Sequence, residues 1–272
     1  MPDSETARDD RYFKLFVGPI RLCAQYKPKF GKGRKAGLSI DQFRALYAAD
    51  PFYSWLGLDS PLMYAAHKAA GGMTSIYRQI GIGGQRVFQH VLRDSLGLSE
   101  TEVQWSYTVE PIRARTKKKT LTLDGRIDMN HVRDAAAKQR VASWLTAAKA
   151  QASVPRETAD EIKGAVFEVR QGYKSKDSKR QNADIDNIGE ALLYHYQPVV
   201  LLLSTQIDGD VADRYVDNHC LMLLGTASGT ATDSTYVFCR EVAGYDLAGF
   251  FERNSKRIKA ELEQVLATLL EA

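Results

Sequence analysis

Carboxylates and cations gather at the ends of two apolar segments between residues 120 and 186. The first segment reads TLTLDGRIDMN and the second GAVFEVRQGYKSKDSKRQNADID. In the first, Leu121, Leu123, Gly125 and Ile127 alternate with Thr122, Asp124, Arg126 and Asp128. That is the period of a strand carrying Asp124, Arg126 and Asp128 on one face. In the second, Ala165, Val166 and Phe167 form a buried-strand run. Beyond it the even positions place Glu168, Arg170, Gly172 and Lys174 together. Acids at the open ends of two strands suit a hard divalent cation, which takes one or two protein carboxylates and completes its shell with water and phosphate. The cation-rich KSKDSKRQ that follows suits the phosphate.

These side chains need a sheet with helices against it. Residues 131–151 and 182–196 carry apolar positions at helical spacing. Residues 198–204 read as a fully buried strand, so strand, crossover helix and strand imply a parallel pair inside the sheet. Residues 102–109 alternate as a further strand. Residues 211–224 read as a helix, 234–240 as a strand, and 245–271 as one or two helices. Upstream, residues 12–26 fit a helix interrupted at Gly18-Pro19. Ser39 with Gln42 marks a helix start, and residues 84–96 form an amphipathic helix ending at Gly97. Tyr53 and Trp55 are expected to fill a core. GIGG at 81–84 lacks both the Gly-Lys-Ser/Thr ending and the preceding strand of a nucleotide loop. The predicted fold class is α/β, a mixed central sheet flanked by helices, with a mostly helical region over residues 1–100 and the sheet-bearing core over residues 101–272.

GRID, followed at a distance by FEVRQG, an acid-basic run and a helix, resembles the PD-(D/E)xK nuclease core, and within it the type II restriction endonucleases. The resemblance spans roughly residues 120 to 205. It implies a restriction-endonuclease-like core in which Asp128 and Glu168 bind Mg²⁺. Arg170 falls where the family has Lys, and the Pro before the first Asp is absent. Arg keeps its proton, so it orients a hydroxide or stabilises the phosphorane and is a poor general base. Lys174 or Lys176 then supplies the missing ammonium. A second placement is similar to the enzymes that cut at CCGG cores. It takes Asp128, Lys176 and Glu190 and leaves Glu168 peripheral.

A formal net charge of +4 permits nucleic-acid binding without requiring it. Between residues 26 and 37, Lys29, Lys32 and Arg34 sit among glycines in a loop suited to clamping a DNA backbone. The resemblance further implies that Lys176, Asp177, Lys179, Arg180 and Gln181 face the major groove. It also implies double-stranded DNA as substrate, a short palindromic target met by a homodimer, and a cognate DNA methyltransferase in the same system. A catalytically inactive, sequence-specific DNA-binding protein on the same fold is the alternative. Cys23, Cys220 and Cys239 are too far apart for a zinc site or a disulfide framework, which points to a reducing cytoplasm. No signal peptide is read, and PVVLLL at 198–203 is too short to span a bilayer, so no membrane partner is expected.

Overall fold

The structure, a computed structural model, describes residues 5–29, 37–109, 119–172 and 178–270. Helices come first: α1 (Glu5–Arg21), α2 (Ile40–Ala48), α3 (Pro51–Trp55), α4 (Pro61–Leu96) and α5 (Glu100–Val103). Then follow β1 (Trp105–Val109), β2 (Lys119–Leu123), β3 (Gly125–Asp128), α6 (Ala135–Gln151), α7 (Arg156–Glu161) and β4 (Gly164–Arg170). The chain continues through α8 (Ser178–Leu193), β5 (Tyr196–Leu202), α9 (Gly209–Val216), β6 (Leu221–Leu223), α10 (Thr235–Phe238) and α11 (Leu247–Leu270). The fold is α/β, with a helical N-terminal region and a mixed sheet flanked by helices. Two compact units divide the chain: residues 1–83 with 253–272, and residues 84–252. The division thus falls earlier than residue 100, and most of α11, from Arg253 onward, belongs to the unit that holds the N-terminal residues.

In the first unit α1 buries Tyr12, Phe13, Phe16, Val17 and Ile20. Pro19 lies inside this helix and does not interrupt it; the helix ends two residues later, so little of it must survive the lost N–H. Asp9 holds Arg253 at 2.8 Å and Asp10 holds Arg257 at 2.7 Å, with the Arg257 guanidinium 4.0 Å over the Phe13 ring. Ser39 and Gln42 form the expected capping box on α2. The GIGG glycines lie inside α4, which runs far upstream of the predicted 84–96 helix. They serve packing, since a Cβ on Gly83 would stand 2.4 Å from the Phe16 carbonyl oxygen. Trp55 and Tyr53, both expected in a core, are 81% and 39% exposed, with Tyr53 stacked on Tyr47 at 4.9 Å.

In the second unit the order of the four-stranded sheet is β3-β4-β5-β6, and β1 and β2 form a separate antiparallel pair. β3 runs antiparallel to β4, whereas β4, β5 and β6 are parallel. The pleat sends Phe167 to one face, where it meets Phe88 at 5.1 Å and Trp144 at 6.2 Å. On the opposite face Val200 and Leu202 join Ile188 of α8 and Val211 and Tyr215 of α9 in one buried cluster. Residues 211–240 differ from expectation. The predicted 211–224 helix stops at Val216. His219 then takes φ 62°, and Leu221, Met222 and Leu223 become β6 beside β5. The predicted strand 234–240 is helical instead, because the Ser234 hydroxyl accepts the Val237 N–H at 3.1 Å and starts α10. Among the described residues no helix is long and apolar enough to cross a membrane.

Candidate active site

The segment read as one strand from 120 to 128 changes sheet partway. β2 pairs with β1, β3 pairs with β4, and Asp124 occupies the bend between them. Backbone and side chain both fix that bend. The Asp124 N–H donates to the Phe167 carbonyl at 2.9 Å, its carbonyl accepts from Gln89 Nε2 at 2.7 Å, and its Oδ2 accepts the Val169 N–H at 2.9 Å. Gly125 pairs with Phe167, so Asp124 falls one step further, opposite Glu168. Here lie the carboxyl ends of the parallel strands β4 and β5.

The same register separates Asp128 from Glu168. Asp128 pairs with Gly164, four residues before Glu168 on β4, or about 13 Å along the strand. These two expected metal ligands therefore do not meet. Asp128 is buried and occupied structurally. Its Oδ1 accepts the Asn130 N–H at 2.9 Å and its Oδ2 accepts the Tyr196 hydroxyl at 2.7 Å. Burial alone would raise this carboxyl, but those two donors hold it below the ordinary aspartate value. Gly164 is required at this crossing, since a Cβ there would lie 2.0 Å from the Ile127 carbonyl oxygen.

Glu168 and Arg170 do share one face of β4, as the even spacing requires, and their side chains pair directly. The same Arg170 Nη2 lies 3.4 Å from Asp184 Oδ1 of α8. Asp184 was not singled out in the sequence, although it sits one helical turn before Ile188 on the buried face, where an acid is rarely found without a partner. Its Oδ2 accepts the Tyr215 hydroxyl at 2.9 Å. Tyr215 has no exposed surface and packs within the α8/α9 cluster. Glu168, Asp184, Asn187, Leu123 and Val166 help line a cavity of about 20 Å³ behind the strand end, room for about one water.

The field in this region is negative. Tyr107, which donates to Asn187 Oδ1, is pushed up to about 12 by burial and then by Glu190, Asp186 and Glu168. Burial first, and the nearby Asp184 and Glu168 charges next, drive the Cys220 thiol well above its usual value. Glu190 lies on α8, and its charge is felt at Tyr107.

Lys174, Lys176, Asp177, Lys32 and Arg34 lie outside the described residues. Lys179, Arg180 and Gln181 belong to the start of α8. Lys29 is exposed, and beside it the Leu38 N–H donates to the Pro28 carbonyl at 2.9 Å. Among the described residues no group of three or more His, Cys, Asp or Glu side chains is arranged to hold a metal ion. The register puts two carboxylate residues opposite each other at the strand end, Asp124 and Glu168. All their side-chain donors are oxygen, and their number is what Mg²⁺ takes from protein when phosphate and water supply the rest. That donor set is of the kind Mg²⁺ takes, while Asp124 Oδ2 already accepts the Val169 N–H and Glu168 already pairs with Arg170. Comparison with protein-family models, with curated proteins and with solved structures finds no match to this chain.

Proposed function

We propose that this chain is a Mg²⁺-dependent endonuclease acting on double-stranded DNA at a short palindromic site, with a restriction-endonuclease-like core. The observation that carries this reading is the placement of Asp124 opposite Glu168, with Arg170 two residues on, where β3 runs antiparallel to β4 and α8 leads into parallel β5. That spacing resembles the PD-(D/E)xK pattern with Arg170 where the pattern has Lys, and it would put Asp124 in the place first given to Asp128. Asp124 and Glu168 would hold Mg²⁺. Bound there, the ion would lower the pKa of a water and offset charge on the phosphoryl group. Arg170 stays protonated and presents fixed N–H donors to a phosphate oxygen or to the water. The cations between residues 174 and 180 would neutralise neighbouring phosphates, and a homodimer would match a palindromic target.

A DNA-binding protein without catalysis on the same fold is the second reading. It is favoured by the direct pairing of Arg170 with Glu168, which sets a cation against one of the two proposed ligands. Incubating the purified chain with unmethylated genomic DNA, in Mg²⁺ and in Ca²⁺, separates the two. An endonuclease gives discrete fragments in Mg²⁺ only, and run-off sequencing then reads the site. Specific retention of fragments without cutting supports the second reading, and neither cutting nor retention removes both.

A further inference from the structure

We infer that Asp184 is a second seat for the Arg170 guanidinium, taking it over when a divalent cation engages Glu168. This rests on the reading of Asp124 and Glu168 as the cation site. One nitrogen, Arg170 Nη2, contacts Glu168 Oε1 and stands 3.4 Å from Asp184 Oδ1. It needs only a small rotation to exchange one carboxylate for the other. Both acids are largely buried, with 12% of the Glu168 side chain and 7% of the Asp184 side chain exposed, and the other Asp184 oxygen holds the Tyr215 hydroxyl at 2.9 Å. Tyr215 is fixed in turn by Val200, Leu202 and Val211. Glu168 stands at the strand end, opposite Asp124.

A buried carboxylate is costly without a charged or hydrogen-bonded partner, so Asp184 keeps an attraction for the guanidinium whether or not Glu168 is engaged. A cation arriving at Glu168 competes with Arg170 for the same oxygen. Giving up that contact costs Arg170 part of its pairing, and that cost would be subtracted from cation affinity. Asp184 removes most of it. Arg170 is thereby kept at the strand edge, protonated and beside the site where a phosphate would lie. Asp184 is thus a positioning residue acting through Arg170.

The test uses Mn²⁺ alone, without DNA, titrated into the full chain and counted by the loss of the free-ion electron paramagnetic resonance signal. Wild type should bind and Glu168→Gln should not. Asp184→Asn should weaken binding roughly tenfold, a coupling usual between contacting residues. In an Arg170→Met background the same substitution should change affinity by less than about twofold, because no guanidinium then needs a seat. An equal loss in both backgrounds would mean that Asp184 acts only through its charge, and no loss in the native background would mean that it does not act at all. Either result overturns the inference while leaving the cation site intact. If wild type and Glu168→Gln behave alike, the cation site fails and the inference with it. Should Arg170→Met not fold, the ¹⁵N side-chain signal of Arg170 decides. At saturating Mg²⁺ it should move in both proteins, to a hydrogen-bonded, exchange-protected signal in wild type and to a fast-exchanging, solvent-exposed one in Asp184→Asn, and the same end point in both proteins overturns the inference.

Discussion

The Tyr196 hydroxyl donates to Asp128 Oδ2 at 2.7 Å, tying the end of β3 to the start of β5 across β4. Burial, and then the Asp128 carboxylate itself, push Tyr196 up to about 12, so it remains a donor throughout the physiological range. Asp128 is held below its ordinary value. A depressed carboxyl contributes stability that is present above its unfolded pKa of about 3.9 and is lost as pH falls through the folded value. Asp128→Asn should therefore unfold more easily at pH 7, by about 1–3 kcal/mol. The gap to wild type should narrow as the pH drops below about 4. Thermal melts at pH 7 and pH 3 measure this. DNA cleavage, scored on folded protein, should survive the substitution.

Gly83→Ala tests whether GIGG is packing. Alanine favours a helix by about 1 kcal/mol over glycine, but here its Cβ would meet the Phe16 carbonyl oxygen at 2.4 Å, and backbone yields poorly. The clash should win, with a net loss of about 1–2 kcal/mol in urea unfolding. A stabilised variant would show that α1 and α4 approach less closely.

The Asp184 pair with Tyr215 is buried, so removing the phenol oxygen leaves a carboxylate short of a donor. Tyr215→Phe should lose about 1–3 kcal/mol. Arg170→Ala should lose about 3 kcal/mol, since it leaves both Glu168 and Asp184 without their common cation. Arg170→Lys should lose less. Denaturant midpoints at constant slope report all three.

Much of this arrangement was legible in the sequence. Alternation placed Glu168 and Arg170 on one face because β4 is regular through those residues, and β5 announced itself by an unbroken apolar run. What alternation could not reveal was the bend at Asp124. A period of two continues unbroken through residues 121–128, while the chain leaves β1 and pairs with β4. Pairing alone decides which acid stands opposite Glu168, and pairing is a long-range property. Helix-like spacing also hid β6, because three apolar residues after a turn satisfy either period. Asp184 carried a readable signal, an acid on the apolar stripe of α8, but its partners come from Arg170 on the strand before it and Tyr215 on the helix after β5.

The most direct measurement is the Mg²⁺-dependent cleavage rate of unmethylated DNA by wild type, Asp124→Asn, Glu168→Gln, Asp128→Asn and Glu190→Gln, each first shown to be folded by thermal melting. With the chemistry at the carboxyl end of β4, Asp124→Asn and Glu168→Gln should fall at least about 100-fold, or about 2.7 kcal/mol of barrier. Asp128→Asn and Glu190→Gln should cut within about tenfold of wild type. Glu168→Gln cutting at the wild-type rate while Asp128→Asn and Glu190→Gln are inactive would contradict this account and move the reaction to the other end of the strand.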